Sequence, residues 1–334
     1  MLRITTISTL VAIAALTFAC DKKENATTTT SASQPSAEAT PKTTETPATT
    51  AAATATGTKA RAPVVTWKDV GLATPESVLY DEVNDLYLVS NINGKPLDAD
   101  NNGFISKLSP DGKVETLKWI EAGKNKVTLN APKGLAFLGE TLYVADLDTV
   151  RMFDRKSGAP QGEVKVPGAT FLNDLAATSD GRILVSDSGL KATAKGFEPT
   201  GTDAVYQIDK AKKLTPIAKS KDLGGPNGLF PQGDKTWVVT FGSGELYALD
   251  AKGKKTEAQK LPKGSLDGIV VLQGGDFLIS SWEGSAVYRG KPGGEFTAIV
   301  EDVSSPADIG YDGKRARVLV PLFEKGEVRA YDIR

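Results

Sequence analysis

The 334-residue sequence contains no histidine and only one cysteine, Cys20. Without histidine, the chain cannot form a Ser-His-Asp triad, a histidine-ligated zinc site or an imidazole general base. A single cysteine can form neither an intramolecular disulfide nor a cysteine-cluster metal site. Any chemistry must therefore use carboxylates, amides, lysines, hydroxyls or the backbone.

The sequence also lacks an excess of charge of either sign. It has 40 lysines and arginines against 41 aspartates and glutamates, which leaves a formal net charge of -1. A nucleic-acid partner requires a concentrated basic face. The composition therefore predicts no nucleic-acid binding.

Residues 1–20 have the layout of a secretory signal. A positive charge at Arg3 precedes an apolar run through Leu16, and small Ala19 stands before Cys20. A cysteine in this place resembles the bacterial lipobox, in which the cysteine is lipidated and becomes the mature N-terminus. A plain cleaved signal and a retained anchor are the alternatives. We expect lipidation at Cys20 and a location in the bacterial cell envelope, facing the periplasm or the exterior.

Residues 21–62 are rich in threonine, alanine, proline and serine, with no aromatic residue and almost no large aliphatic one. Such a segment cannot bury enough apolar surface to offset its ordering entropy. It is predicted to be a disordered tether that holds residues 63–334 away from a membrane.

From residue 63 onward the chain repeats a strand pattern. The repeated apolar strands are DLYLVSN (85–91), TLYVADL (141–147), RILVSDS (182–188), TWVVTFG (236–242), FLISSWE (277–283) and RVLVPLF (317–323). A second alternating strand follows each one, glycine-containing turns separate the strands, and no sustained helical period occurs. Repeats spaced by 40 to 56 residues are typical of the four-stranded blades of a β-propeller.

The end of the chain indicates how the ring closes. The first five repeats contain a fourth strand, but the sixth ends at Arg334 before reaching one. PVVTWKDVGL (63–72) can supply it and remove an exposed sheet edge. The sequence therefore predicts an all-β, six-bladed β-propeller over 63–334, closed by an N-terminal strand that pairs into the last blade.

One position varies inside an otherwise constant frame at the start of each blade's innermost strand. Alignment of the six copies places these residues there: Glu76, Lys133, Asn173, Asn227, Asp267 and Asp308. Innermost strands line the channel of a propeller, so these residues should form a ring at one mouth. A turn preference would select Gly, Asn or Asp, which does not explain Glu76 or Lys133. An alternative is that these positions are polar only because the mouth of the channel is exposed to water.

The composition of the ring favours a metal site. Calcium takes six to eight oxygen ligands, including carboxylates and amide carbonyls. Glu76 and Asp267 would neutralise a divalent ion, and Asn173 and Asn227 would add neutral oxygens. We expect one divalent cation, with Ca²⁺ preferred over Zn²⁺, Mg²⁺ or Mn²⁺. Four protein ligands leave positions for water or substrate, which suits Lewis-acid catalysis.

Four motifs in this order and spacing resemble a known family. They are PES with Glu76, LND with Asn173, PNG with Asn227 and LDG with Asp267. The region from about residue 64 to 334 is similar to the senescence marker protein/gluconolactonase family and to the related calcium-dependent phosphotriesterases and paraoxonases. The resemblance implies a divalent ion at the top of the channel and hydrolysis of lactones or phosphoesters. It also implies that Asp267 is both a ligand and the general base or nucleophile.

Two departures from the family narrow this expectation. Sugar lactonases carry a substrate-binding arginine two residues before the Asn-Asp pair, where this chain has Phe171. The histidine pair of paraoxonases cannot exist here. Sugar-acid lactones are therefore disfavoured, and a paraoxonase-type proton relay is excluded.

Lys133 is the ring member that conflicts with a metal site, because an ammonium repels a divalent ion. It can form an ion pair with Asp308, Asp146 or Asp174, or it can bind an anionic group of a substrate.

The sequence thus predicts a monomeric, membrane-tethered, metal-dependent hydrolase of small lactones or esters. The alternative is a non-catalytic propeller that serves as a binding or scaffold lipoprotein.

Overall fold

The computed structural model describes residues 61–194 and 196–334. These residues form six four-stranded antiparallel sheets and one two-stranded hairpin. Helical structure in this part of the chain is limited to two short 3-10 turns, Lys221–Leu223 and Phe323–Lys325. The predicted six-bladed β-propeller is confirmed. The predicted signal peptide, Cys20 and most of the predicted tether lie outside the described residues.

The strands follow one another along the chain with short connections. In chain order they are β1 (Val65–Trp67), β2 (Pro75–Asp81), β3 (Leu86–Asn91), β4 (Phe104–Leu108), β5 (Val114–Glu121), β6 (Pro132–Leu138), β7 (Thr141–Asp146), β8 (Thr149–Asp154), β9 (Pro160–Lys165), β10 (Leu172–Ala177), β11 (Ile183–Asp187), β12 (Leu190–Thr193), β13 (Gly196–Pro199), β14 (Ala204–Ile208), β15 (Leu214–Lys219), β16 (Pro226–Gln232), β17 (Lys235–Thr240), β18 (Glu245–Leu249), β19 (Lys255–Lys260), β20 (Leu266–Val271), β21 (Phe277–Ser281), β22 (Ala286–Gly290), β23 (Phe296–Val300), β24 (Gly310–Asp312), β25 (Arg317–Leu322) and β26 (Glu327–Asp332).

Each of the first five blades is a meander that runs outward from its innermost strand. Blade one has the order β2-β3-β4-β5, and blade three has β10-β11-β14-β15. The hairpin β12–β13 is inserted into blade three between its second and third strands, which accounts for the length of that repeat. The extra residues of the first repeat lie between β3 and β4 and contain no strand.

The ring closes as the sequence predicts. Strand β1 pairs antiparallel with β26, with Val65 opposite Ala330 and Trp67 opposite Val328. The N-terminal strand is therefore the outermost strand of blade six. Trp67 is fully buried and packs edge-on against Tyr87 of blade one, with the ring centres 5.7 Å apart. Burial of this large apolar side chain stabilises the closure.

The hydrophobic core is divided among the interfaces between blades. Six apolar clusters are present in the described residues, and each combines strands from two neighbouring blades. A single four-stranded sheet cannot bury its faces alone, so stacking six of them around a circle covers every inward apolar face. This packing holds the innermost strands in fixed positions around the channel.

Candidate metal centre at the mouth of the channel

The predicted ring positions lie in β-bulges at the start of the innermost strands. In blade one the register shifts between Pro75 and Val78, so that Glu76 and Ser77 together oppose Ser90. The Ser77 N–H donates instead to Ser90 Oγ at 2.9 Å. The same shift occurs in blades two to five. A bulge re-aims side chains locally, and the fold uses it at equivalent places around one mouth.

The glycine of the repeated frame has a packing role. A Cβ on Gly134 would lie 2.6 Å from the Cα of Asp174, and one on Gly268 would lie 2.3 Å from the backbone nitrogen of Ile309. Both contacts are with the next blade and are too close for any side chain. Glycine is therefore required where neighbouring innermost strands approach each other, and not because the frame is a turn.

The sixth blade differs from the alignment made on sequence. In the other blades, the first residue of the innermost strand pairs with the second strand. In blade six, Pro306 makes the equivalent bridge to β25. The next residue is Ala307, so Ala307 and not Asp308 is the counterpart of Glu76. Asp308 lies one position later, in the place that Asp174 occupies in blade three. The prediction that Asp308 is the sixth member of the ring was wrong by one residue.

Three predicted ligands present buried oxygens without a hydrogen-bond partner in the described part of the chain: Glu76 Oε2, Asn227 Oδ1 and Asp267 Oδ1. Leaving a buried acceptor unsatisfied costs about 1–3 kcal/mol. Three such oxygens at one mouth form an arrangement that a hard divalent cation satisfies, because Ca²⁺ takes carboxylate and amide oxygens. These residues therefore fit the ion that the sequence predicts.

The donor set is not an acidic cluster. Within residues 61–194 and 196–334, no three Asp, Glu, His or Cys side chains are grouped so that they could hold a metal ion by themselves. The candidate centre instead combines the carboxylates of Glu76 and Asp267 with the amides of Asn173 and Asn227. Its fit to a cation depends on the amide oxygens as well as on the charges.

Hydrogen bonds with residues that follow the second strand of the same blade orient two of these side chains. Asn173 Nδ2 donates to Ser188 Oγ at 3.1 Å, and Ser188 Oγ donates to the Pro226 carbonyl at 2.6 Å. Trp282 Nε1 donates to Asp267 Oδ2 at 2.8 Å, which leaves Oδ1 free. Such supporting contacts hold a metal ligand in one orientation.

Two more carboxylates lie below the ring, at the next position of their strands. Asp174 accepts the Leu175 N–H at 2.6 Å and the Leu229 N–H at 2.7 Å, so both of its oxygens are used by the backbone. Asp308 accepts a hydrogen bond from Ser77 Oγ. The contacts of Asp174 give it a structural role that joins blades three and four.

Burial and mutual repulsion shift the ionisation of all these acids. Burial raises the pKa of Glu76 well above its usual value, and the charges of Asp267 and Asp308 raise it further. Burial and Asp308 likewise raise the pKa of Asp267, against the effect of its hydrogen bonds from Trp282 and Asn227. Burial raises the pKa of Asp308 to about 7. A bound cation would remove this repulsion and favour the ionised acids.

Lys133 is 1% exposed and makes no salt bridge within the described residues. Its Nζ donates to the Ala131 carbonyl at 3.0 Å and lies 4.6 Å from the centre of the Phe171 ring. Burial lowers the pKa of Lys133 to about 8, although attraction to Glu76 and Asp146 opposes this effect. The ammonium is thus stabilised by a carbonyl and an aromatic face, and the ion pair with a neighbouring aspartate is not formed.

A cavity of about 1340 Å³ lies at the other end of the channel. It is lined by the far ends of the innermost strands, including Phe137 and Phe230, and by hairpins that contain Arg155, Arg182 and Lys235. None of the predicted ring residues lines it. One of its charged residues, Arg155, forms an ion pair with Asp81. We place the candidate site at the ring because three of the predicted ligands present unpaired buried oxygens there.

Sequence reasoning missed Ser188 and Trp282, which contact predicted ligands. Both come directly after a second strand, β11 and β21. They are the seventh residue of RILVSDS and the sixth of FLISSWE, so the strings as aligned did not show that the two positions are equivalent. Their contacts depend on the distance between a strand end and the neighbouring bulge, which the strings do not specify.

Comparison with known proteins agrees with the fold and with the place of these motifs. Residues 74–317 match the family model described as the SMP-30/Gluconolactonase/LRE-like region. The chain belongs to the SMP-30/gluconolactonase/LRE-like family. The match includes every predicted ligand of the candidate centre. No curated protein sequence matches the chain.

Solved structures of the family and its relatives share the architecture. A gluconolactonase from Xanthomonas campestris has a TM-score of 0.61 at 20% identity, covering 79% of this chain and 87% of that one. A luciferin-regenerating enzyme has a TM-score of 0.60 at 14% identity, covering 81% and 94%. A calcium-binding regucalcin from Agrobacterium tumefaciens has a TM-score of 0.55 at 18% identity, covering 78% and 90%. At these identities the likeness establishes the fold.

Proposed function

We propose that the protein is a divalent-metal-dependent hydrolase of small lactones or esters, with Ca²⁺ as its ion. The observation that carries the proposal is the set of unpaired buried oxygens on Glu76, Asn227 and Asp267. These residues, with Asn173, would hold the ion. A bound divalent cation would polarise the substrate carbonyl and stabilise the negative charge that develops on its oxygen. The gluconolactonase and calcium-binding regucalcin among the structural relatives support this class of function.

Asp267 is the residue we assign as general base. Its Oδ2 is held by Trp282 and its Oδ1 is free. As the water oxygen bonds to the carbonyl carbon, the Asp267 carboxylate takes the water proton. The carbon–oxygen bond to the alkoxide then breaks, and the same proton passes to the alkoxide. A bound cation would favour the ionised form of Asp267, so the carboxylate would be ready to accept a proton at neutral pH.

The ion-binding step can be tested by calorimetry on the purified full-length protein. We expect one Ca²⁺ to bind, and Glu76→Gln to weaken binding at least tenfold because it removes a charged ligand without changing its size. Glu140→Gln, at the opposite end of the channel, is the matched control and should bind like the wild type. Absence of divalent-ion binding in the wild type would refute the hydrolase proposal and favour the non-catalytic binding or scaffold propeller.

We also propose that the protein is a monomer, lipidated at Cys20 and tethered to a membrane of the bacterial cell envelope by residues 21–62. The lipobox-like Cys20 supports this. Within the described residues, no helix is long and apolar enough to cross a membrane. When expressed in a bacterium, the wild type should fractionate with membranes. Cys20→Ser should lower the amount of protein in the membrane fraction at least tenfold. Mass spectrometry of the N-terminal peptide measures the lipid directly, and an unmodified cysteine would refute the anchor.

A further inference from the structure

The channel mouth carries three consecutive aromatic side chains at one repeated position. Phe241, Trp282 and Phe323 directly follow the second strands of blades four, five and six, and we call them the aromatic collar. Their N–H groups donate to carbonyls just before the innermost strands: Gly225, Ser265 and Ser305. The shared backbone contact shows that the three positions are equivalent. The fold therefore presents these rings side by side.

The rings of the collar contact one another. The centres of Phe241 and Trp282 are 5.4 Å apart with the planes at 83°, and those of Trp282 and Phe323 are 5.2 Å apart at 52°. Trp282 also donates its indole N–H to Asp267. The middle member of the collar thus contacts the proposed base, and the collar spans three of the six blades.

The collar does not belong to the hydrophobic core. None of its members is part of the six apolar clusters between the blades, and all three are partly exposed. Their contacts with one another fix their orientation and leave apolar surface beside a polar, charged ring. Contiguous apolar surface of this kind, next to a few convergent polar groups, is typical of a ligand site.

The opposite side of the mouth also offers an aromatic face. Phe171 lies against the Lys133 ammonium, and its ring centre is 6.1 Å from that of Phe197 on the hairpin β12–β13. Phe197 is 46% exposed. A substrate rich in hydroxyl groups would leave those groups without partners against these surfaces, which costs binding energy at each unpaired group.

We propose that the site selects lactones or esters that carry an aromatic or similarly flat apolar group, which packs against the aromatic collar while the carbonyl lies at the ring. This inference rests on the proposed function, since it names the substrate class of the same centre. Trp282 has two roles in it, as a surface for the apolar group and as a positioning residue for Asp267.

A matched set of lactones tests the selection with the full-length protein in saturating Ca²⁺. The substrates are 5-phenyl-δ-valerolactone, δ-valerolactone and D-glucono-δ-lactone, which share the reacting ring. We expect the phenyl compound to have the highest kcat/KM. Phe241→Leu and Phe323→Leu, which keep apolar volume, should raise KM for the phenyl compound about five- to tenfold, the range expected for loss of an aromatic pair. KM for δ-valerolactone should change less than twofold.

Phe230→Leu is the control, because Phe230 is an aromatic residue at the opposite end of a channel-lining strand. Binding of the non-hydrolysed lactam 6-phenyl-2-piperidone, followed by Trp282 fluorescence, gives a readout independent of turnover. Fluorescence should change on binding, and Phe323→Leu should weaken binding by the same factor as it raises KM.

The outcomes separate the two proposals. If lactam binding depends on the collar but no lactone or ester is hydrolysed, the selection stands as a binding property and the hydrolase proposal is refuted. If lactones are hydrolysed but D-glucono-δ-lactone is preferred, or if the Leu variants leave the phenyl compound unaffected, the role of the collar is refuted and the hydrolase proposal remains.

Discussion

Asp267→Asn is expected to lower kcat for lactone hydrolysis by about 10²–10⁴-fold, the usual contribution of a positioned general base. The amide keeps the size of the side chain and an oxygen for the ion, but it cannot accept the proton of the attacking water. The loss should persist at saturating Ca²⁺, which separates the base from its second role as a ligand. Steady-state kinetics with δ-valerolactone at several Ca²⁺ concentrations measures both effects.

Asp276→Asn is the matched control, because Asp276 lies in the same blade and pairs with Arg289 away from the ring. It should retain wild-type kcat. Should Asp267→Asn hydrolyse the lactone as fast as the wild type once Ca²⁺ is saturating, Asp267 is not the base. In that case another group would have to be sought among the ring residues.

In the absence of Ca²⁺, the protein is expected to be more stable at pH 5.5 than at pH 7.5, by about 2 kcal/mol for each group that titrates near 7. Burial raises the pKa of Asp308 to about 7 and raises those of Glu76, Asp174 and Asp267. Between about pH 4 and pH 7 the folded state therefore holds protons that the unfolded state has released. Stability present below pH 4 is lost as the pH rises through 7.

Urea denaturation in EDTA at several pH values measures this dependence. Asp308→Asn removes the group that titrates near 7 and should reduce the pH dependence by about 2 kcal/mol, since an amide oxygen can still accept a hydrogen bond from Ser77. Added Ca²⁺ should restore stability most at pH 7.5, by about 2.7 kcal/mol at a concentration one hundred times its Kd. A metal-free protein whose stability rises from pH 5.5 to 7.5 would contradict the buried, mutually repelling acids.

The architecture could be predicted because it depends on periodicity. Six copies of the same strand pattern specify six equivalent blades, and the missing last strand left PVVTWKDVGL as the one segment able to close the ring. The alternation of apolar and polar residues and the turn residues determine structure within each blade, so both can be recognised in the sequence alone. The positions of Glu76, Asn173, Asn227 and Asp267 follow from the same repeat.

The register of the sixth blade could not be predicted in this way. PADIG lacks the glycine-then-hydrophobic frame of PKGL, and only the bridge from Pro306 shows that Ala307 takes the ring position. A displacement of one residue moves a side chain to another level of the channel. It places Asp308 beside Asp174, below the ring, rather than within it.

By itself, the sequence determined which residue types are available for chemistry, the number of blades, their closure and the frame in which the ring residues stand, because composition and short-range repetition carry that information. The tertiary structure decided which side chains touch at the channel mouth: the indole of Trp282 on Asp267, the ring of Phe171 beneath Lys133, and the collar of Phe241, Trp282 and Phe323. The contact between Trp282 and Asp267 lies within one blade, whereas the others join neighbouring blades. Their geometry depends on how six blades pack around one axis, which no single repeat encodes.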